Sequence, residues 1–276
     1  MLTKLLLLCF LTFQSFAQES INVMTFNIRY ATPADGENQW EFRKEHVAGT
    51  IQYYQADICG LQEATEPQVL YLAEKLVNLS WIGVGRDDGK SGGEFSPIFY
   101  NSSKLELLNW ETIWLSKTPE KPSKDWDAAL PRIATIAYFK RLFDGKDFVA
   151  INTHYDHMGQ TAREESSKLL LEIIDNLIQE GLKIILLGDF NSTPNDLPIS
   201  TFTNGSLVNT FDISKVGHFG PINSFTGFLS VEKDNSQIDH IFVTNGIQVI
   251  NHATISQTWQ GKFASDHHAV VTKLKF

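Results

Sequence analysis

An α/β fold, with two β-sheets packed together and helices outside, is predicted by three observations. The sequence holds many short β-type runs and few stretches of helical period, and no repeat or Pro/Ser-rich linker divides residues 20–276. The first run covers 21–28. Val47, Ile51 and Tyr54 then predict a helix ahead of a strand at 57–62. Val69, Leu70, Ala73, Leu76 and Val77 predict a second helix. Strands are expected next at 80–85, 95–100, 105–114, 132–140 and 147–153, with Lys140 and Lys146 flanking a hairpin at Asp144–Gly145. The clearest helical stripe is Leu169, Leu170, Ile173, Ile174 and Leu177, within Arg163–Gln179. The last strands are expected at 183–188, 206–211, 238–243, 247–256 and 267–275, and continuous runs such as Ile184–Leu187 fit burial on both faces.

At 276 residues, 42% hydrophobic and 20% charged, the chain has ample length for a sizeable core. Its net charge of −9 argues against a protein that grips nucleic acid mainly through basic surface. One Lys followed by the apolar stretch Leu5–Phe13, with Ser15 and Ala17 after it, fits a secretory signal cleaved after Ala17. That stretch is well short of the roughly 20 residues a membrane span needs. The expected organisation is a signal peptide at 1–17 and one domain at 18–276, in a secreted or periplasmic protein. The mature chain would keep only Cys59, inside an apolar run, which excludes a disulfide framework and makes Cys59 a core thiol.

Six polar clusters sit at the edges of apolar runs. They are Asn27 after I-N-V-M-T-F, Glu63 after I-C-G-L-Q, His154 after F-V-A-I-N-T, Asp189 and Asn191 after I-I-L-L-G, Asp239 after Q-I, and Asp266–His267 before A-V-V. A buried strand ending in a carboxylate, amide or imidazole carries a desolvation cost unless that group has a partner or an ion. Singly, each has an ordinary explanation: an Asx turn for Asp189 and Asn191, a helix-start acid for Glu63, a strand-end cap for Asn27, a satisfied core histidine for His154. Together they point to a site that holds a metal and a phosphate. An oxygen-rich donor set suits a hard octahedral ion, whereas Zn²⁺ would want more imidazole or thiolate.

N-I-R-Y, L-Q-E, N-T-H, G-D-F-N, I-D-x-I-F and S-D-H occur in the order and approximate spacing of the endonuclease/exonuclease/phosphatase superfamily, which residues 21–276 resemble. D-G-E-N-x-W, G-R-D-D-G, S-P-I-F-Y and D-A-A-L-P-R make it similar to an exported bacterial branch. The resemblance implies a four-layer α/β sandwich, two mixed β-sheets packed face to face with helices on the outside, and metal-dependent cleavage of a phosphoester. Position by position, Glu63 resembles the main Mg²⁺ or Mn²⁺ ligand, with Asn27 beside it and Asp266 completing the site or binding a second ion. Asp189 and Asn191 resemble the pair that orients the attacking water and holds a phosphate oxygen. His267 resembles the imidazole next to the scissile phosphate, with Asp239 as its carboxylate partner. His154 resembles a second phosphate-facing histidine, and Glu94 is a weaker match for its partner. Whether Asp189 or His267 takes the proton stays open. Arg29 stands two residues after Asn27, where some family members carry a metal-holding acid. That argues against a fixed two-metal site and offers a phosphate clamp instead.

Gly85–Ser91 imitates a phosphate-binding P-loop, but it has three residues between its glycines, and a strand pattern follows where a helix is required. Arg86, Lys90, Arg132 and Arg163 remain candidate phosphate contacts or plain surface charge. Trp114 and Trp126, flanking the loop Ser116–Pro131, are either a stacking wall or loop packing. The leading expectation is an exported Mg²⁺/Mn²⁺-dependent phosphodiesterase or phosphatase acting on a small or sugar-bearing phosphoester, with no membrane span. An exported Mg²⁺-dependent nuclease is the alternative, duplex nucleic acid being the less favoured substrate. A non-catalytic binding protein on the same scaffold is the third reading. The sequence names neither the substrate nor the oligomeric state.

Overall fold

In the computed structural model, which describes residues 20–231 and 236–276, period-two alternation sorts strand residues into layers. Along β1 (Ile21–Asn27), Ile21 and Val23 face one way and Met24 and Phe26 the other. A 3-10 turn at Pro33–Asn38 leads to α1 (Trp40–Tyr53), β2 (Ile58–Gln62), β3 (Ala64–Thr65) and α2 (Glu66–Lys75). Then come β4 (Ser80–Ile82), β5 (Glu94–Phe95), β6 (Ile98–Tyr100), β7 (Leu105–Trp114), β8 (Ile133–Arg141) and β9 (Asp147–His154). They are followed by α3 (Gln160–Gln179), β10 (Lys183–Asp189), α4 (Leu197–Thr203), β11 (Leu207–Asn209), α5 (Thr210–Ile213) and β12 (His218–Phe219). The chain closes with β13 (Asp239–Thr244), β14 (Gln248–Ile255), β15 (Thr258–Trp259), β16 (Lys262–Phe263) and β17 (Ala269–Lys275).

One mixed sheet runs β12-β14-β17-β1-β2-β6-β4 and a second runs β11-β13-β10-β9-β8-β7. Ile21, Val23, Ile58, Phe139, Ala150, Ile185, Leu187, Ile241 and Leu274 fill the space between them. Outside the first sheet, Val47, Ile51, Val69 and Leu72 of α1 and α2 cover Met24, Phe26, Cys59 and Leu61. Outside the second, Leu170, Ile174, Ile199 and Phe202 of α3 and α4 cover Val149, Ile151, Ile184 and Phe242. These are the four layers implied by the resemblance, and Cys59 is the buried thiol expected of it.

The alternation also decides where the polar strand ends point. Asn27 shares its face with Ile21 and Val23, His154 with Phe148 and Ala150, Asp189 with Ile185 and Leu187, and Asp239 with Ile241 and Val243. All four therefore lie on the inner face, where the two sheets meet at one rim. Register adds precision: Asp189 pairs with His154 of the parallel β9 and with Asp239 of the antiparallel β13.

Just behind that rim the sheets are held by a polar bridge. Asn152 Nδ2 donates to the carbonyls of Leu61 (2.8 Å) and Pro97 (2.9 Å), and Gln62 Nε2 donates to Asn152 Oδ1 at 2.7 Å. Gly60 makes room for it, since a Cβ there would stand 2.5 Å from Asn152 Oδ1. Asn152→Ala removes three buried hydrogen bonds at about 1 kcal/mol each, so a urea titration should show a loss of about 3 kcal/mol. A loss below about 1 kcal/mol would remove the bridge from the account of stability.

Several sequence expectations are corrected by local chemistry. The strand expected at 95–100 breaks at Ser96–Pro97: Glu94–Phe95 pairs with β3, and only Ile98–Tyr100 joins the main sheet. Pro97 has no N–H to donate to a ladder. The strand expected at 206–211 ends at Asn209, whose side chain accepts from Phe211 N–H and starts the helical turn α5. The strand expected at 80–85 stops at Ile82, before Gly83 at φ 138°. Val77 lies beyond the end of α2 and is exposed. The helix α4 carries Ile199, Thr201 and Thr203, β-branched residues that hide its period. The proposed signal peptide at 1–17 lies outside the described residues.

Candidate functional site

Three strand exits share one backbone device. Arg29 (φ 55°), Glu63 (φ 59°) and Asn191 (φ 46°) follow the ends of β1, β2 and β10 in left-handed conformation. For a residue with a Cβ this costs about 1–2 kcal/mol, least for Asn. Each exit turns sharply and leaves its side chain on a cavity of about 510 Å³, which Arg29, Glu63 and Asn191 all line. Strain of this kind is retained where surrounding contacts enforce it. Here Gln68 and Arg43 do so. Gln68 accepts from Ala31 N–H and donates to the Arg29 carbonyl, while the buried Arg43 guanidinium donates to the carbonyls of Ile28, Arg29, Asn38 and Ala264.

Asp189 occupies the centre. Its Oδ2 accepts from Asn27 Nδ2 at 2.9 Å and lies 3.5 Å from His154 Nε2 and 3.7 Å from His267 Nε2. Its Oδ1 accepts from the Asn191 backbone N–H at 2.9 Å. His267 Nδ1 meets Asp239 Oδ2 at 2.8 Å, and the second Asp239 oxygen has no hydrogen-bond partner among the described residues. Burial works against charge on His267, yet Asp239 and then Asp189 outweigh it and raise its pKa to about 10. The ring is thus favoured in its imidazolium form, with Asp239 on one side and Asp189 on the other. Burial, followed by the charge of Asp239, raises the Asp189 pKa well above the usual carboxylate range.

His154 is governed differently. Burial, then Arg132 and Arg86, hold its pKa well below the ordinary histidine value, so it is neutral. Arg132 NH1 faces its Nδ1 at 3.2 Å, and Asn191 Nδ2 lies 3.2 Å from its Nε2. Glu94 is 3.9 Å from His154, but its carboxylate is forked to Arg86 at 2.7 and 3.0 Å. The expected Glu94–His154 pair is therefore secondary to an Arg86–Glu94 pair.

Glu63 and Asp266 face the same part of the cavity. Glu63 accepts from Asn27 Nδ2 (3.1 Å) and from Tyr30 N–H (3.2 Å), and Asp266 Oδ1 accepts from Ser265 at 3.2 Å. Burial and then the like charge of Glu63 raise the Asp266 pKa, although His267 and Arg29 oppose that. Arg29 stands 3.8 Å from Glu63 and 4.0 Å from Asp266, but its fork is spent on Asp35 at 3.1 and 3.0 Å. Two crowded carboxylates, with no cation in hydrogen-bond contact among the described residues, form an oxygen donor set that fits a hard divalent ion, and the Asn27 amide stands beside them with Nδ2 on Glu63 and Oδ1 on the Arg29 N–H. Asp189, Asp239 and His267 also offer atoms within 4.8 Å of one another. In that second group Asp239 does not line the cavity and is bonded to His267 Nδ1, whereas Glu63 and Asp266 both line it.

Of the residues named from sequence, Arg29, Glu63, Glu94, Arg132, His154, Asp189, Asn191, Asp266 and His267 line this cavity, with Asn27 and Asp239 buried beside it. Arg163 does not join them: it sits in the first turn of α3 and donates to the Asp156 carbonyl at 2.9 Å. Trp114 is packing, buried with its indole N–H on the Arg86 carbonyl at 2.7 Å. Trp126 is not on the cavity wall. Tyr30 of N-I-R-Y, Ile238 of I-D-x-I-F and His157, three residues after His154, also line the cavity although no role was read for them, and Leu130 and Phe225 line it with no residue pattern to mark them. Two other cavities of similar size, about 490 and 560 Å³, lie by Asp57 and Lys104 and by Trp259 and Phe42, without this convergence of acids and imidazoles.

A model of the Endonuclease/Exonuclease/phosphatase family matches residues 24–267. A family protein from Bacteroides vulgatus superposes with TM-score 0.89 at 35% identity, covering 94% of this chain and 99% of that one. A mannosyl-6-phosphatase of Bacteroides thetaiotaomicron gives TM-score 0.88 at 34% identity, over 93% of this chain and 100% of that one. The Ccr4 exoribonuclease subunit of the CCR4-Not complex from Mycosarcoma maydis is 26% identical over 69% of this chain, which spans only 36% of the Ccr4 length.

Proposed function

The chain belongs to the Endonuclease/Exonuclease/phosphatase family and is a phosphoester hydrolase of it, and we propose that it is an exported phosphatase acting on small, sugar-bearing phosphomonoesters with Mg²⁺ or Mn²⁺. The observation that carries this reading is the cavity of about 510 Å³ in which Asp189, His154 and His267 converge. Its volume suits a small ligand, for which pockets run about 300–1,000 Å³. The net charge of −9 favours a small substrate over a polyanionic duplex, and the likeness to a mannosyl-6-phosphatase favours a sugar phosphate.

The residues divide the work by charge and proton state. Asp189, its pKa raised by burial and by Asp239, is the group able to accept a proton from water near neutral pH. Asn191, pinned to the Tyr155 carbonyl at 3.0 Å, fixes the edge of the water site. His267 already carries its proton and so serves as a charged donor to a phosphoryl oxygen rather than as the base. Asp239 keeps that imidazolium charged and oriented. Glu63 and Asp266, with Asn27, would hold the divalent ion, which when bound supplies polarisation of the phosphoryl group and compensation of leaving-oxygen charge.

Phosphate release from hexose 6-phosphates, compared with bis(p-nitrophenyl) phosphate and RNA oligonucleotides in Mg²⁺, tests the reading. The monoester should be turned over at least about tenfold faster in kcat/KM. Preferred shortening of the oligonucleotide would overturn it in favour of an exonuclease, the reading supported by the Ccr4 likeness. No turnover of any phosphoester would leave a binding protein on this scaffold.

A further inference from the structure

Arg132 was a candidate phosphate contact, but its guanidinium is buried and already committed. Nε donates to Asp156 Oδ2 at 3.2 Å, NH1 faces His154 Nδ1 at 3.2 Å, and NH2 faces His157 Nδ1 at 2.9 Å. Asp156 is an unusually firm anchor. Burial would raise its pKa, yet the backbone N–H groups of Gly159, Ala129 and Met158, together with Arg132, hold it well below the usual carboxylate range. The planar fork of Arg132 is thus fixed at one edge, with two imidazoles on the other.

An arginine has donors and no acceptor. A ring nitrogen facing it at hydrogen-bond distance must therefore be unprotonated, and in a neutral imidazole the proton then sits on the other nitrogen. We infer that Arg132 is a positioning residue that locks His157 in the Nε2–H tautomer, so that this ring presents an N–H donor to the substrate phosphate. His154 differs, because both of its ring nitrogens face donor-only groups, Arg132 NH1 at Nδ1 and Asn191 Nδ2 at Nε2, and the geometry assigns it no single tautomer. His157 is exposed on the cavity wall, and its Nε2 lies on the ring edge away from Arg132. Lysine could not replace this arrangement, because a point ammonium lacks the fork that holds two rings and a carboxylate in one plane.

The inference rests on the proposed phosphatase reading, so the test separates the two. Side-chain ¹⁵N spectra of the histidine-labelled chain, assigned with His157→Gln, should show the Nε2–H tautomer at His157. In Arg132→Met, His157 should become a tautomer mixture and kcat on the monoester should fall about tenfold or more, the scale of one hydrogen bond to a charged group. An Nδ1–H tautomer at His157 in the wild type, or an unchanged His157 tautomer in Arg132→Met, would overturn the lock. If Arg132→Met does not fold, His157 decides: Gln, which keeps a donor near the Nε2 position, should retain about tenfold more kcat than Phe. Equal losses in those two variants would overturn the donor role. A wild-type chain that hydrolysed no phosphoester would refute the functional reading, while the His157 tautomer would still decide the lock.

Discussion

Replacing His267 with alanine should lower kcat on a phosphomonoester by about 10²–10⁴-fold, with a much smaller change in KM. The size follows from its position. A buried imidazolium 2.8 Å from Asp239 and 3.7 Å from Asp189 is a charge fixed in place on the cavity wall. Such a donor needs no reorganisation as charge builds on the phosphoryl oxygens, so its loss falls mainly on the transition state. Removing it also leaves Asp189 and Asp239 facing each other without the intervening cation. That pushes the Asp189 pKa further up and empties its basic form at neutral pH. Asp239→Asn keeps the ring and weakens its charge, so it should fall between the wild type and His267→Ala. Steady-state kinetics on one monoester decide the matter: a His267→Ala variant within about threefold of wild-type kcat would remove this imidazole from the chemistry.

The residues that sequence placed correctly are those whose orientation is set locally. Asn27, His154, Asp189 and Asp239 end or open runs whose alternate residues are apolar on one face, so the period of two already says that they share it. Glu63 also follows an apolar run and was placed with them, whereas Arg29 came in through the family resemblance. Residue type gives no hint that either adopts φ near +55°, since neither Glu nor Arg favours the left-handed region. The supports were invisible for a different reason. Arg43 contacts the Ala264 carbonyl and Asn152 contacts Leu61 and Pro97, across separations that only the packed sheets close. Arg163 shows the converse error. It lies close in sequence to His154 and Asp156, but the first turn of α3 directs its guanidinium to the Asp156 carbonyl and away from the cavity.

Glu63 should separate function from stability. Glu63→Ala and Glu63→Gly should lose activity alike, by about 10²-fold or more at moderate Mg²⁺, if this carboxylate is the main support of the ion. Their stabilities should differ. At φ 59° an alanine keeps the left-handed strain and a glycine does not, so the Gly variant should be more stable by about 1 kcal/mol, or about 2–4 °C in melting temperature. Neither deletion strands a buried donor: Asn27 Nδ2 still donates to Asp189, and the Tyr30 N–H stands beside the cavity that Tyr30 lines. Metal then supplies a readout that does not depend on turnover. A ligand at 100 times its Kd adds about 2.7 kcal/mol to the folded state, so Mg²⁺ or Mn²⁺ should raise the wild-type melting temperature and EDTA should reverse it. In both Glu63 variants that gain should be lost, because Asp266 and Asn27 are left to hold the ion without their partner carboxylate. A Glu63→Gly protein that melted below Glu63→Ala, or gained as much from Mg²⁺ as the wild type, would contradict the assignment. The expected pattern places the cost of the strained turn and the benefit of the ion on the same residue. It would explain why a glutamate stands in a backbone conformation that suits glycine.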